Sequence, residues 1–207
     1  MGRKERRFQQ QQEVRQSILD AAREIARAEG WRNVTMRKIA EKTEYSHPAL
    51  YEYFENKDVL MLALLREGFH LLVQDMQAAQ ASTDEPHTAM RRMAAAYWRF
   101  AWRYPELYRV MNGLDGVSFS ADSVQREGQK VADLYGAAIK AIYLGRGQVV
   151  SDEVLEMRIH LLWSVSHGII SLTMEGRMAR GKEWAHTLYE QAIEDDLQKW
   201  EREAQAE

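Results

Sequence analysis

Glu156, His160 and His167 are the side chains whose types and spacing come nearest to metal chemistry. Steps of four and seven place all three on one helix face, and a carboxylate with two imidazoles is a usable zinc set. The tighter His-Glu-x-x-His pattern is missing from the sequence, as are a Gly-rich phosphate loop and a Gly-x-Ser-x-Gly elbow. Zero cysteines exclude disulfides, thiolate zinc sites and cysteine nucleophiles. The histidines therefore read as packed core or interface residues. The sequence predicts no enzyme, no metal site and no cofactor.

A second set of polar side chains lies between Thr35 and Lys57. Thr35 reads as a helix N-cap, with Val34 and Ile39 spaced as a hydrophobic staple, and a short helix runs over Met36–Lys42. Ser46 reads as the next cap. Pro48 is tolerated in the first turn, and a second short helix runs from His47 to about Phe54. Two short capped helices joined by about three residues suit a helix-turn-helix, whose second helix fits a major groove about 12 Å wide. Charge agrees. Residues 1–42 carry 11 Lys+Arg against 6 Asp+Glu, or +5, while the rest of the chain carries −8 within a net charge of −3. A basic head on an acidic body directs phosphate attraction locally.

The string Ile39-Ala40-Glu41-Lys42-Thr43-Glu44-Tyr45-Ser46-His47-Pro48-Ala49-Leu50-Tyr51-Glu52-Tyr53-Phe54-Glu55-Asn56-Lys57-Asp58-Val59-Leu60 resembles the DNA-binding domain of the TetR family of bacterial transcriptional regulators. The resemblance spans roughly Val14 to Leu65, and Leu-Tyr-x-Tyr-Phe-x-Asn-Lys is its most specific part. It implies phosphate contacts from Thr35 and Lys57, a groove contact from Arg37, and base-facing positions at His47, Pro48 and Ala49. It also implies a backbone grip from Tyr51 and Tyr53. With the cap Ser46, these are the candidate DNA-binding residues. Two positions depart from the family pattern: Glu44 stands where glycine is usual, and Tyr45 where a small β-branched residue is usual. A non-glycine residue at positive φ costs on the order of 1 kcal/mol.

Stepping outward, the elements that must position this set are helical. Three prolines in 207 residues leave long unbroken segments. Val14, Ile18, Ala21, Ala22 and Ile25 stripe a helix over Glu13–Glu29, ended by Gly30. Asn56 caps a long helix from Lys57 to about Gln80. Further helices are predicted from about Thr88 to Arg103, from Pro105 to Met111, from about Ser123 to Leu144, from Ser151 or Asp152 to about Ala179, and from Glu183 to about Glu203. The expected fold is all-α: a three-helix helix-turn-helix DNA-binding domain over residues 13–58 and a helical ligand-binding and dimerisation domain over 59–207. Residues 1–12, basic and Gln-rich without a helical stripe, read as a flexible arm.

The segment Val154–Met178 is apolar on nearly all sides, so it is expected to be buried all round, one face against a second subunit. The final helix carries its own apolar stripe. Together they predict a two-fold four-helix bundle through Leu161, Ile169, Leu172, Trp184, Leu188, Ile193 and Leu197, the dimerisation mode that the resemblance also implies. Trp163-Ser164-Val165-Ser166-His167-Gly168 resembles the Trp-x-x-x-His-Gly signature of one C-terminal domain class of the family, over roughly residues 85–200. Aromatics crowd between Tyr97 and Tyr108. Two readings stay open for them: plain helical core, or a cavity for a small hydrophobic ligand lined by Trp98, Trp102, Tyr104, Tyr108, Met111, Trp163 and His167, with Arg109 as a further polar anchor.

No apolar run reaches the ~18–20 residues of a membrane span, and residues 1–12 lack the apolar region of a secretory signal. A thiol-free chain suits a reducing cytoplasm. The expectation is a cytoplasmic homodimeric regulator, a repressor released from a palindromic double-stranded DNA operator by its ligand. The alternatives are a constitutive DNA-binding regulator without ligand and a helical dimeric adaptor.

Overall fold

The computed structural model describes residues 2–203, so Met1 of the expected arm and residues 204–207 of the expected body lie outside it. Among the described residues the secondary structure is helical, with no strand. The chain divides into two compact units. One takes in the chain through His70 together with Tyr104–Glu127, and the other takes in Leu71–Arg103 and the chain from Gly128 onward.

In the first unit, α1 (Arg3–Glu29) is followed by a 3-10 turn at Trp31–Asn33, α2 (Met36–Thr43), α3 (His47–Tyr51) and the opening turns of α4 (Lys57–Gln80). The short α6 (Pro105–Met111) belongs to the same unit. The expected caps form. Thr35 Oγ1 accepts from the Lys38 amide at 3.2 Å, Ser46 Oγ from the Ala49 amide at 3.3 Å, and Asn56 Oδ1 from the Val59 amide at 2.9 Å. Each bond satisfies one of the amides that a helix start leaves unpaired. Val34 and Ile39 are fully buried as a staple, and Ile18, Ala22, Leu50, Phe54, Leu60, Leu64 and Leu65 build the core around them.

Helix α1 starts ten residues earlier than the sequence predicts. Arg3 to Gln12, expected as an arm without helical stripe, continues the helix and is exposed throughout. Arg, Lys, Glu and Gln are good helix formers, and no Gly or Pro interrupts the segment, so a helix nucleated on the packed turns from Val14 extends back through it. Helix α3 is shorter than predicted, ending at Tyr51. The Tyr53 and Phe54 amides still donate to the Leu50 carbonyl, so the turn closes through Phe54.

In the second unit, α5 (Pro86–Arg103), α7 (Ala121–Leu144, from Gly128), α8 (Asp152–Met174) and α9 (Gly181–Glu203) pack with the later turns of α4. Met90, Met93, Tyr97, Phe100, Ile139, Leu162, Ile170, Tyr189, Leu197 and Trp200 form its interior. The Tyr189 hydroxyl donates to the Ala94 carbonyl at 2.9 Å, tying α9 to α5. Helix α8 ends at Met174 rather than near Ala179, where Gly176 takes φ +65°.

Candidate nucleic-acid interface

The α2–α3 hairpin and the chain through the first residue of α4 carry the predicted DNA-binding residues, most of them exposed. Thr35, Arg37, Ser46, His47, Pro48 and Tyr51 are exposed, while Ala49, Tyr53 and Lys57 are half-buried. Leu50 and Phe54, which alternate with them, are fully buried, and this fixes which side of α3 faces outward. Arg37, Ala40, Glu41, Glu44, Tyr45, Ser46 and His47 line one open depression of about 650 Å³. The His47 and Tyr51 rings meet edge-on with centroids 5.0 Å apart.

The turn between the helices takes the left-handed conformation at Glu44, with φ 58° and ψ 14°. Glycine adopts this conformation without cost and glutamate does not, so the turn keeps its shape against a local penalty. Glu44 and Glu41 place two carboxylates in the depression. The Arg37 Nε donates to Glu41 Oε1 at 2.9 Å in a largely exposed i,i+4 pair. Such a pair is worth a few tenths of a kcal/mol, so Arg37 is released from it easily when a stronger acceptor arrives. Lys57 Nζ donates to the Trp31 carbonyl at 3.4 Å, which holds the first residue of α4 beside the 3-10 turn.

Behind this face lies a charged network that the sequence does not announce. The Glu106 carboxylate, almost completely buried, accepts from Arg23 Nε at 3.1 Å and from Arg27 Nη2 at 2.7 Å. Its backbone carbonyl accepts the Trp31 indole N–H at 2.8 Å. Arg23 also donates to Glu67 at 2.6 Å. The hydrogen bond to Glu106 raises the Arg27 pKa, and burial raises that of Glu67 against the opposing pull of Arg23. A loop carboxylate completes the set: Asp115 accepts the Trp31 amide at 2.6 Å and itself sits at φ 59°. Gly30, at φ 83°, is needed there because a Cβ would stand 2.8 Å from Asp115 Oδ2. Helix α6 and the loop after it thus brace the base of the helix-turn-helix. Sequence separations of 44 to 84 residues hide these pairings from any local pattern.

The predicted ligand-lining residues fall into two groups. Tyr104, Tyr108 and Met111 belong to the first unit: Tyr108 and Met111 are buried, Met111 covers Gly68, and the Arg23 guanidinium lies 5.4 Å from the Tyr104 ring centroid. Trp98, Trp102, Trp163 and His167 belong to the second. Trp98 is buried with its ring centroid 5.6 Å from that of Trp102, 4.9 Å from His186 and 5.2 Å from Tyr189. Lys182 Nζ lies 4.1 Å from the Trp102 centroid, and Trp163 and His167 stack on each other at 6.1 Å. Burial lowers the His167 pKa.

Of the predicted dimer residues, Ile169, Ile193 and Leu197 lie in the second unit's own core, Trp184 and Leu188 are half-buried, and Leu161 and Leu172 are exposed. Met157, Leu161, Val165 and Leu172 form one exposed apolar stripe on α8, and a Cβ at Gly168, within that stripe, would meet nothing within 4 Å. Within the protomer α8 is buried on one side, along Leu155, Leu162, Ser166, Ile169 and Ile170, and the face expected to meet a second subunit is exposed. The metal geometry does not assemble: His160 Nδ1 lies 2.9 Å from the Glu156 carbonyl, and among the described residues no three His, Cys, Asp or Glu side chains could hold a metal ion. Also among the described residues, no helix is long and apolar enough to cross a membrane.

Comparison with known proteins agrees with this architecture. The family model for bacterial regulatory proteins of the tetR family matches residues 18–64, and that for the tetracyclin repressor-like C-terminal domain matches residues 90–195. The chain is 30% identical over 118 residues to the HTH-type transcriptional repressor Rv1474c of Mycobacterium tuberculosis, covering 57% of this chain and 60% of that protein. It spans about half the length of several other curated relatives that it matches. The crystal structure of the regulatory protein SCO4313 superposes with a TM-score of 0.76 at 24% identity, over 92% of this chain and 98% of the other. Thermus thermophilus FadR, a repressor crystallised with lauroyl-CoA, gives a TM-score of 0.61 at 18% identity, over 90% and 92%. Two consecutive family models match, the second alone spanning more than half of the residues, and the chain belongs to the TetR family of bacterial regulatory proteins.

Proposed function

We propose that this chain is a homodimeric transcription regulator, a repressor released from a palindromic operator by a small apolar molecule. The observation that carries the reading is the exposed α2–α3 face, on which Arg37, Ser46 and His47 share one open depression while Leu50 and Phe54 anchor the helix from behind. Function divides accordingly: residues 13–58 read DNA, residues 59–207 dimerise and bind ligand, and residues 1–12 are a basic arm. Thr35 and Lys57 hold phosphates. Arg37 reads a guanine edge, His47, Pro48 and Ala49 face the bases, and Tyr51 and Tyr53 grip the backbone. Dimerisation through the exposed α8 stripe places two recognition helices in successive major grooves about 34–36 Å apart.

The ligand half of the reading rests on the density of aromatics around Trp98 and Trp102 and on the Trp163–His167 pair, which we assign to the Trp-x-x-x-His-Gly class. Ligand displaces the helix that begins at Lys57 and changes the half-site spacing. A coupling of about 1–3 kcal/mol lowers operator affinity about 5–150-fold. The tight burial of Trp98, Tyr108 and Met111 favours a second reading, a constitutive regulator whose aromatics are plain core.

Selection of bound sequences from a random DNA library tests the head, with a palindromic consensus expected. A protein that enriches no sequence is the adaptor instead. Thermal-shift screening with apolar compounds and with lauroyl-CoA, whose acyl chain alone is apolar, tests the body, and a set without a single stabiliser supports the constitutive reading. Replacement of Arg37 by alanine is expected to weaken specific binding by about 1–3 kcal/mol and relax one base position. Unchanged affinity and base preference remove Arg37 from the readers.

A further inference from the structure

We propose that the first turns of α1 make a second DNA contact, in which Arg3, Lys4, Arg6 and Arg7 hold duplex phosphates outside the groove that α3 enters. This inference rests on the DNA-binding reading above. Every residue from Gly2 to Glu13 is exposed, and α1 joins the packed unit only from Val14 and Arg15 onward. Its point of entry is informative. The Arg15 guanidinium lies 4.6 Å from the centroid of the Phe54 ring, at the junction of α3 and α4 where Tyr53 and Lys57 stand. At 1.5 Å per residue, α1 continues from there for about 12 Å to Arg7 and about 18 Å to Arg3. That reach compares with a major-groove width of about 12 Å, long enough for these cations to meet phosphates other than those assigned to Tyr53 and Lys57.

The charge pattern calls for a polyanion. Residues 3–7 carry four cations and one carboxylate, and that carboxylate, Glu5, accepts the Gly2 amide at 2.6 Å. Arg3 with Arg6, Arg3 with Arg7, and Lys4 with Arg7 are three or four apart, so like charges are neighbours on the helix surface. They also sit at the helix end where the macrodipole is already positive. Neighbouring like charges at a positive helix end are relieved by an anionic partner along the helix side. Duplex DNA is the partner that the adjoining α2–α3 face is suited to. A membrane surface fits poorly, because Phe8 is the one apolar residue between Arg3 and Glu13 and gives the helix no apolar face.

The test uses the full chain and the variant carrying Arg3→Gln, Lys4→Gln, Arg6→Gln and Arg7→Gln. Both are titrated with the duplex selected by the parent and with a random-sequence duplex of about 40 bp, from about 0.05 to 0.3 M salt. Each released phosphate contact removes about 0.9 from the slope of log affinity against log salt, so a loss of about 2–4 in slope is expected on both duplexes. Affinity should fall at least ~10-fold at about 0.1 M salt, with the selected bases unchanged, and a variant with lysine at 3, 6 and 7 should restore the parent slope. Circular dichroism checks that the exposed substitutions leave the fold intact. Equal slopes in parent and variant overturn the inference and leave the DNA-binding reading standing. A parent that selects no sequence overturns both. A variant that changes the selected bases overturns the phosphate role. Loss of binding to phosphatidylserine vesicles without any change in DNA slope assigns the cations to a membrane instead.

Discussion

At the residue scale, the buried carboxylate of Glu106 carries a stability prediction. Glu106 is buried between Arg23 and Arg27, with the Trp31 indole on its carbonyl. The desolvation cost of such a carboxylate is offset only while both guanidinium groups are in place. Glu106→Ala leaves Arg23, itself mostly buried, without this counter-charge. It is expected to cost about 1–3 kcal/mol in urea unfolding, since Glu67 still pairs with Arg23. A loss below about 1 kcal/mol would show that water replaces the carboxylate there. No local pattern marks this network, since a glutamate after Pro105 reads as an ordinary acidic first-turn residue. Arg37, Ser46 and His47 were legible because their neighbours Thr35, Leu50 and Phe54 obey local capping and burial rules.

At the element scale, two helix boundaries carry predictions. The α2–α3 turn holds Glu44 at positive φ in a place where glycine would be unstrained. Glu44→Gly is expected to raise stability by about 0.5–1 kcal/mol, the relief of strain exceeding the added chain entropy of the unfolded state. Chemical denaturation of the variant checks the sign, and a loss of stability would mean that the turn bears no strain. The other boundary is the start of α5. The Thr88 side chain, with the His87 and Thr88 amides, holds the Glu85 pKa down to about 2 from an ordinary 4.5. A depressed carboxylate pKa stabilises the fold above the unfolded value and loses that contribution as pH falls toward the folded one. The parent should therefore be more stable than Glu85→Gln at pH 7, with the gap closing between about pH 4.5 and 2. A gap independent of pH in thermal unfolding would assign the effect to packing instead. Both boundaries were readable in part: Glu44 as a departure from glycine, the α5 start only to within two residues, because Pro86 and the Glu85 cap move it forward from Thr88.

At the scale of the whole molecule, the exposed stripe of α8 is the feature that a lone protomer leaves unexplained. Met157, Leu161, Val165 and Leu172 are each at least 40% exposed on a single helix face. Contiguous apolar surface of this kind marks an interaction site. Leu161→Glu places a carboxylate in the stripe without touching the protomer's core. It is expected to shift sedimentation from dimer to monomer at micromolar concentration while helical content stays constant. A variant that still sediments as a dimer would move the interface elsewhere.

Residue type and spacing alone set the presence and order of the helices, the caps at Thr35, Ser46 and Asn56, and the helix-turn-helix, though not every helix end. These depend on interactions within about four residues, and such short-range rules are written in residue type and spacing. It also marked α8 as apolar on too many sides for an ordinary surface helix. Only the tertiary structure decided which apolar face of α8 is buried, because Leu162 and Leu161 are chemically identical and differ only in the neighbours that α9 and α7 bring. Only the tertiary structure separated Tyr104, Tyr108 and Met111 from Trp98 and Trp102, which the sequence had grouped by proximity along the chain. The same holds for Glu106 and Asp115: their partners lie 75 to 84 residues away, and a pairing at that range is set by how the helices pack.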